Sequence, residues 1–366
     1  MPVPFQRPRA LVLLLALTAA ALLLAATSAM ASQDGALYTQ TNDPAGNSVQ
    51  RFIRGADGSL TPAGSFATGG VGLDGLGGRQ GAVELSEDGR HLLAVNAGSD
   101  SVSVFKAKPG RLKLVNIAGS GGAAPVSIDE QDGRVYVLNS GGTPSVTAFA
   151  RRGDGELVAI GRRELAAGAS GVAQVSVTPD GRSLVVSERT ANRLETLPLD
   201  RSGRPGAPVV TPSSGAVPFG FGITREGTIV VSEAGASTVS SYRLGAGGAL
   251  GAISASLPVG QGAACWVAVS PSGRLAYTGN ASGSISGYAV GRDGALAALN
   301  ADGVTARLAT VRDLDFDARG RFLLAIASGN ATTGGQVTSY RVAADGSLTL
   351  VDTAPAAAGI TGAAAS

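Results

Sequence analysis

Short apolar segments separated by glycine-containing turns recur along most of the chain. Residues 101–105 and 238–242 alternate polar and apolar side chains, a pattern typical of strands that are buried on one face. Residues 184–186 and 229–231 are continuously apolar, as in strands that are buried on both faces. Because no long segment beyond residue 31 repeats its apolar positions with the helical period, the pattern predicts an all-β protein.

Two series of turn glycines divide this pattern into repeats. The first series has intervals of 44 to 48 residues and consists of Gly89, Gly133, Gly181, Gly227, Gly273 and Gly320. The second series has intervals of 45 to 52 residues and consists of Gly58, Gly110, Gly155, Gly203, Gly248, Gly294 and Gly346. Two hairpin turns in each period imply four short strands, because glycine tolerates the positive φ of tight turns. Four strands in a period of this length are typical of one β-propeller blade.

The two ends of the chain complete each other in this scheme. Residues 36–42 read as the second strand of a blade that has no first strand before it. Residues 360–366 resemble the segments that begin first strands elsewhere, such as residues 80–82 and 261–263. We therefore predict a seven-bladed β-propeller in which the C-terminal strand pairs in the N-terminal blade, with residues 68–78 as an insertion between blades.

The first 31 residues read as a secretory signal. Two arginines precede the apolar run 10–26, and small residues at positions 29 and 31 match the preference of a signal peptidase. The run is shorter than the roughly 20 residues that span a bilayer, so we expect no retained membrane span. We predict cleavage after Ala31, a secreted or periplasmic location in a bacterium, and a single domain over residues 32–366.

Composition and charge exclude several classes of function. The 29 basic residues include Arg7 and Arg9 of the signal, so the cleaved chain carries 27 basic and 27 acidic groups. With no basic stripe in the sequence, we expect no nucleic-acid partner. One cysteine allows no intrachain disulfide, and one histidine argues against a histidine-rich zinc site or a histidine-based triad. We predict no cofactor and no metal, and we expect a monomer.

Four segments resemble the secreted branch of the lactonase family, which is related to bacterial 6-phosphogluconolactonase and fungal carboxymuconate cyclase. These segments are residues 96–105, 187–192, 218–221 and 264–267. The resemblance covers nearly all of the cleaved chain and implies a seven-bladed propeller of four-stranded blades. It also implies lactone chemistry, because some members are lactonases.

The residues that the resemblance associates with activity are mostly absent. Family members thought to be active present a histidine, two arginines and a glutamate. In this chain Val126, Ala173 and Ala234 stand at the positions of the histidine and the arginines, and Gln174 replaces a second histidine. Only the glutamate is retained, as Glu188, which is therefore the candidate catalytic residue. A lone carboxylate without cationic groups beside it is a weak catalyst.

Second-strand ends and first-strand beginnings of a propeller surround the mouth of its central channel. The second strands end at Asn42, Asn96, Asn139, Glu188, Glu233, Asn280 and Ala327. This ring of amides and carboxylates suits a polyol, a lactone or a calcium ion, all of which take oxygen ligands. The alternative is that each asparagine caps the turn after its strand.

First-strand beginnings supply further candidates. Trp266, the only tryptophan, is either a stacking platform for a ligand or a wedge between blades. Asp313 and Asp315 fall on one strand face, where they bind a cation or pair with arginines such as Arg312. Cys265 is expected to be a small buried side chain with no histidine to activate it.

Three functions are consistent with these residues. In the first, an exported lactonase-family propeller binds a small polar molecule at the channel mouth, with lactone hydrolysis left open. Its catalytic residue would be Glu188 and its ligand-binding residues Glu233, Arg189, Gln174, Trp266, Arg312, Asp313 and Asn280. Arg189 would pair with Glu188 or with an anionic ligand.

The second function is a non-catalytic platform for a protein partner or a surface, and the third is calcium-dependent hydrolysis as in six-bladed gluconolactonase-like propellers. A mouth where Glu188, Glu233 and Arg312 converge favours the first, and an apolar plug favours the second.

Overall fold

The computed structural model describes residues 1, 33–73, 80–108, 111–330 and 332–366. The predicted signal segment lies outside these residues except for its first position. Within the described part of the chain, no helix is long and apolar enough to cross a membrane.

The first three blades follow one another along the chain. Their strands are β1 Gln33–Gln40, β2 Ser48–Gly55, β3 Leu60–Ala67, β4 Val83–Leu85, β5 His91–Asn96, β6 Ser101–Lys108, β7 Arg111–Gly119, β8 Ala123–Gln131, β9 Arg134–Gly141, β10 Ser145–Arg151 and β11 Leu157–Glu164. Strands β1–β3 belong to the first blade, β4–β7 to the second and β8–β11 to the third.

The remaining blades continue in the same way. Their strands are β12 Val172–Val177, β13 Ser183–Glu188, β14 Arg193–Pro198, β15 Val209–Pro212, β16 Pro218–Ile223, β17 Thr228–Glu233, β18 Thr238–Leu244, β19 Leu250–Pro258, β20 Ala264–Val269, β21 Leu275–Asn280, β22 Ser284–Val290, β23 Leu296–Ala298, β24 Ala306–Arg307, β25 Val311–Phe316, β26 Phe322–Asn330, β27 Gly334–Val342, β28 Leu348–Ala356 and β29 Thr361–Ala365. Strands β12–β15, β16–β19, β20–β24 and β25–β28 form blades four to seven.

The described strands form seven antiparallel sheets, which confirms the predicted all-β, seven-bladed propeller. Six sheets have four strands, and the sixth blade adds the short β24 beside β22. Most of the predicted turn glycines have positive φ, including Gly181 at 66° and Gly203 at 86°. Any residue with a Cβ is strained in this conformation, so glycine sets the hairpin turns.

The C-terminal strand closes the ring as predicted. Strand β29 pairs with β1 in the first blade, with Leu37 opposite Ala365 and Gln40 opposite Thr361. Without β29 the inner edge of β1 would have unpaired backbone groups, which are costly when buried. The circular arrangement therefore depends on a pairing between the two ends of the chain.

Apolar clusters between adjacent blades form the core. One cluster joins the sixth and seventh blades through Trp266, Tyr277, Leu314 and Leu323, all of which are buried. The predicted insertion begins between the first and second blades, where the Val71 amide donates to the Ser99 hydroxyl. Its later part, residues 74–78, lies outside the described residues.

Candidate ligand site at the channel mouth

The retained family carboxylate does not face the mouth. Glu188 ends β13 and is 0% exposed. Its carboxylate accepts hydrogen bonds from Arg193 Nε at 2.8 Å and from the Ser170 amide at 2.9 Å. The prediction that Glu188 is an exposed strand end is therefore wrong, because the side chain turns to the third strand of its own blade. Arg189 is not its ion-pair partner.

Glu188 belongs to a buried group of three charges in the fourth blade. Arg193 also donates to Glu195 at 2.8 Å, so one guanidinium joins two carboxylates. Burial, together with the neighbouring Glu188, raises the pKa of Glu195 to about 7. The guanidinium and the backbone amides thus satisfy these carboxylates inside the protein.

The carboxylate of Glu233 is also enclosed by its own blade. It accepts hydrogen bonds from the Gly215 amide at 2.7 Å and from the hydroxyls of Thr238 and Ser240 at 2.5 and 2.7 Å. Neutral hydrogen-bond donors therefore satisfy the Glu233 carboxylate, as Arg193 satisfies the Glu188 carboxylate. Both carboxylates hold the second strand to the third and do not converge on Arg312.

The asparagines at second-strand ends follow the same pattern. Asn280 donates to the hydroxyls of Ser284 and Ser286 at 3.0 and 2.7 Å. Asn96 likewise donates to two serines at the start of β6. These contacts support the capping alternative, in which the amide holds the following turn and strand. Ligand binding by Glu233 and Asn280 stays a prediction.

Five other residues meet at the mouth, and we call them the mouth cluster: Arg189, Phe219, Cys265, Trp266 and Arg312. The guanidinium carbon of Arg189 lies 5.0 Å from the Phe219 ring centroid, and that of Arg312 lies 5.9 Å from the Trp266 ring. The two rings meet edge to face with centroids 5.7 Å apart. The fourth to seventh blades each contribute to this cluster, which brings together Arg189, Trp266 and Arg312 from the predicted set.

Both guanidinium groups are half-buried and have no counter-ion among the residues that the structure describes. Arg189 Nε donates to the Gly171 carbonyl at 3.2 Å, and Arg312 Nε donates to the Ser328 hydroxyl at 2.9 Å. Across the described ranges, neither forms an ion pair with a carboxylate. Burial lowers the pKa of Arg189, while the neighbouring Cys265 acts in the opposite direction. An arginine remains charged at neutral pH even so, and the mouth is therefore cationic.

The neutral members of the cluster are packed rather than reactive. Burial raises the pKa of the Cys265 thiol to about 11, although Arg312 and Arg189 both act to lower it. A thiol with this pKa is not a nucleophile at neutral pH. Trp266 is 1% exposed and belongs to the core between blades, which supports the wedge alternative over the stacking platform.

Two glutamines join blades at the level of the channel next to the mouth. Gln174 forms paired hydrogen bonds with the backbone of Phe221, at 2.9 and 2.7 Å, and so joins the fourth blade to the fifth. Gln80 does the same with Val267, at 2.5 and 3.0 Å, and so joins the second blade to the sixth. These blades are not neighbours, and the Gln80 side chain therefore crosses the channel. Side-chain amides therefore occupy the level of the channel next to the mouth.

Carboxylates line the cavity of about 200 Å³ inside the channel. Asp313 and Asp315 lie on one strand face, as their spacing predicts, but they accept hydrogen bonds from the Ala363 and Ala365 amides at 2.9 and 2.8 Å. Asp129 accepts one from the Val177 amide at 2.7 Å. Burial raises the pKa of all three aspartates, that of Asp315 to about 7. Each aspartate thus links its blade to the next.

The oxygens of the channel aspartates bind backbone amides. Neither Asp313 nor Asp315 forms an ion pair with an arginine among the residues that the structure describes. No group of three His, Cys, Asp or Glu side chains in that part of the chain is arranged to hold a metal ion. Backbone amides donate hydrogen bonds to these aspartates, which gives the carboxyl groups a structural role. Ligand binding by Asp313 and Gln174 stays a prediction.

Comparisons with known proteins agree with the architecture. The chain resembles two putative 6-phosphogluconolactonases, from Bacteroides uniformis and Bacteroides fragilis, each with 18% identity and a TM-score of 0.72. These matches cover 91% and 92% of this chain and 99% of each relative. The periplasmic gluconolactonase of Pseudomonas aeruginosa matches with 19% identity and a TM-score of 0.69, covering 89% of this chain and 98% of its own.

These structural likenesses show the fold, and a family model adds the assignment. Among curated proteins no match is found. The model described as lactonase, 7-bladed beta-propeller, matches residues 45–164 and 156–269, which is more than half of the chain. The chain belongs to the lactonase family of seven-bladed β-propellers.

Proposed function

We propose that this protein binds a small anionic molecule at the mouth cluster. The observation that carries the proposal is the pair of guanidinium groups, Arg189 and Arg312, that have no carboxylate partner in the described parts of the chain. Half-buried charges are usually paired, because burial without compensation is costly. A bound carboxylate or phosphate would supply the missing counter-charge.

The geometry of the two arginines suits such a ligand. Each guanidinium is held by one hydrogen bond from Nε and by an aromatic ring beside it. The terminal NH₂ groups of a guanidinium bind a carboxylate or phosphate in a bidentate manner. Because the rings and the Nε contacts restrict both side chains, less entropy is lost on binding.

The ligand class follows from the relatives. Their names refer to lactones of sugar acids, so we propose a sugar lactone or the acid formed from it. Lactone hydrolysis by Glu188 is not part of this proposal. A general base must reach the attacking water, whereas Glu188 is enclosed and paired with Arg193.

We also propose that the protein is exported to the periplasm or beyond the cell. The predicted signal, with cleavage after Ala31, supports export, and the Pseudomonas aeruginosa relative is a periplasmic protein. Mass determination of the purified exported protein tests this, and a chain that retains residues 1–31 would contradict it.

The binding proposal is tested by calorimetric titration of the purified protein with gluconate. We expect Arg189→Ala and Arg312→Ala each to weaken binding by about tenfold or more, because each removes a charge-assisted contact. Arg189→Lys keeps the charge and should retain part of the affinity. Arg225→Ala, at an exposed hairpin turn, is the matched control and should bind like the unaltered protein.

Two results would overturn the proposal. One is no saturable binding of gluconate or of its lactone, and the other is binding by Arg189→Ala and Arg312→Ala that equals binding by the unaltered protein. A lactone hydrolysis assay on the Glu188→Gln variant separates binding from catalysis. We expect equal rates in this variant and the unaltered protein. A loss of about a hundredfold in a folded Glu188→Gln variant would instead make Glu188 catalytic.

A further inference from the structure

A second pocket, of about 490 Å³, lies between the third and fourth blades. It is formed by hairpin turns that join first to second strands and third to fourth strands. In an up-and-down blade these turns lie at the end opposite the second-strand ends. The pocket is therefore on the face opposite the mouth cluster, and its volume is in the range of small-molecule sites.

Two polar groups in the pocket form no hydrogen bond with any residue that the structure describes. Tyr136 is 2% exposed and lines the pocket, and its hydroxyl forms no hydrogen bond with any described residue. Gln131 Oε1 is buried and without a partner in the same set, although the Gln131 amide nitrogen donates to the Pro179 carbonyl at 3.2 Å. Buried polar atoms are rarely left unsatisfied, so Gln131 Oε1 points to something that binds there, and the Tyr136 hydroxyl, which lines the same pocket, is free to bind it too.

Three arginines and two aspartates line the pocket, so its lining carries a net positive charge: Arg134, Arg182 and Arg201 against Asp132 and Asp200. Arg182 and Arg201 project from its two fourth-blade turns, and neither forms an ion pair within the ranges described. The Asp200 carboxylate is held in its own turn, where it accepts from the amides of Ser202 and Arg204. An anion entering the pocket would therefore meet two guanidinium groups that form no ion pair in the described structure.

The walls of the pocket are held in place before any ligand binds. The Gln131 contact with Pro179 links the third blade to one fourth-blade turn. Arg134 Nε donates to the Ser202 carbonyl at 3.0 Å and links the third blade to the other turn. Gly203 lets that turn approach, because a Cβ there would lie 2.9 Å from Arg134 and 3.1 Å from the Tyr136 hydroxyl. A pre-formed pocket costs less to fill.

We propose that this pocket is a second ligand site, which binds a hydroxylated organic anion such as a sugar acid or a sugar phosphate. Arg182 and Arg201 bind the anionic group. The Tyr136 hydroxyl donates to the ligand, and Gln131 Oε1 accepts from a ligand hydroxyl. This site uses no residue of the mouth cluster and goes beyond the function proposed above.

The chemistry of Tyr136 is consistent with a donor role. Burial raises the pKa of Tyr136 to about 12, so its hydroxyl keeps the proton at neutral pH. A protonated phenol can donate to a carboxylate or phosphate oxygen.

The sixth blade provides a matched control. Arg274 and Arg292 occupy the turn positions that correspond to Arg182 and Arg201, and both are exposed. The preceding fifth blade has Val230 at the position of Tyr136, so a hydroxyl equivalent to that of Tyr136 is missing there. Removing Arg274 and Arg292 therefore changes the charge of the same face by the same amount without altering the pocket.

The test is calorimetric titration of the purified protein with glucuronate, glucose 6-phosphate and glucose. We expect saturable binding of at least one anion with a Kd below about 1 mM and none of neutral glucose. The double variant Arg182→Ala/Arg201→Ala should weaken binding by about tenfold or more, and Arg274→Ala/Arg292→Ala by less than about twofold. The two anions distinguish a carboxylate from a phosphate preference.

Tyr136→Phe is the second variant and keeps the ring that packs in the blade. We expect a weakening of about threefold or more with an unchanged melting temperature, because the hydroxyl has no partner to lose in the folded protein. The proposal is overturned if neither anion binds, or if Arg182→Ala/Arg201→Ala binds as the unaltered protein does. Binding that survives this double variant and disappears in Arg189→Ala would assign the anion to the mouth, which also overturns it.

Discussion

The mouth and the interior of the channel lie on one axis and are lined by different ionisable groups, arginines at the mouth and carboxyl groups inside. In the interior, Asp313 and Asp315 accept hydrogen bonds from the backbone of the next blade. At the mouth, Arg189 and Arg312 lie beside aromatic rings and have no carboxylate partner in the described chain. Carboxyl groups that are satisfied by the backbone stabilise the fold, whereas guanidinium groups without a carboxylate partner are available to a ligand.

The largest expected effect comes from deleting residues 360–366. This deletion removes the first strand of the first blade and the amides that Asp313 and Asp315 bind. We expect an insoluble protein, or one that melts at least about 10 °C lower, since each kcal/mol moves the melting temperature by a few degrees. Thermal unfolding of the purified protein measures this, and a melting temperature within about 2 °C of the full chain would refute the closure.

Asp313→Ala tests the channel interior at a single residue. It leaves the Leu314 and Ala363 amides without their acceptors, at an expected cost of about 2 to 3 kcal/mol in the free energy of unfolding. Denaturant unfolding measures the change. The exposed Glu226→Ala is the control and should stay within about 0.5 kcal/mol of the unaltered protein. Equal stability of the two variants would show that the carboxylate does not hold the blades together.

Asp315→Asn tests the same interior by its dependence on pH. Because burial raises the pKa of Asp315 to about 7, folding favours its protonated form. That contribution is complete below the unfolded-state pKa of about 4 and is lost as the pH rises to about 7. The asparagine does not titrate, so the stability of the variant relative to the unaltered protein should increase from pH 4 to pH 8.

The measurement for this prediction is the melting temperature across the same pH range. Asp345→Asn is the control, because the pKa of this exposed aspartate is lowered by its hydrogen bonds with Ser347 and it stays ionised above pH 5 or so. The difference in melting temperature between Asp345→Asn and the unaltered protein should be constant from about pH 5 to about pH 8. Parallel profiles for Asp315→Asn as well would contradict the raised pKa.

The smallest expected effect is on the mouth side. Arg189→Ala removes a cation next to Phe219 but no ion pair, so the free energy of unfolding should fall by less than about 1 kcal/mol. Denaturant unfolding of Arg189→Ala and Asp313→Ala under the same conditions compares their free energies of unfolding. A loss as large as that of the aspartate variant would make Arg189 a structural residue and weaken its assignment to a ligand.

The periodicity of the sequence was sufficient for the fold. Turn glycines, alternating strands and the unmatched ends predicted seven blades and the closing strand, because these depend on local backbone conformation and on the count of strands. The same reasoning placed Arg189, Trp266 and Arg312 near the mouth. Their positions follow from which end of a strand they occupy.

The direction of individual side chains was less predictable. Glu188 was expected at the mouth, yet Arg193, five residues later and across a hairpin, binds it inside the blade. The Gln80 amide reaches a blade far from its own in the chain, and nothing in the local sequence indicates that contact. Such pairings depend on which donors happen to face a side chain after the blades have packed.

The sequence by itself determined the strands, their order and the closure of the ring, since each depends on a local period and on glycine at the turns. Only the tertiary structure decided which charges are satisfied. The pocket around Tyr136 combines side chains of one blade with turns of the next, and Arg182 and Arg201 come close to Tyr136 only when the two blades pack. Local patterns specify the orientation of a strand face, but the partner of a buried polar group is set by packing between distant segments.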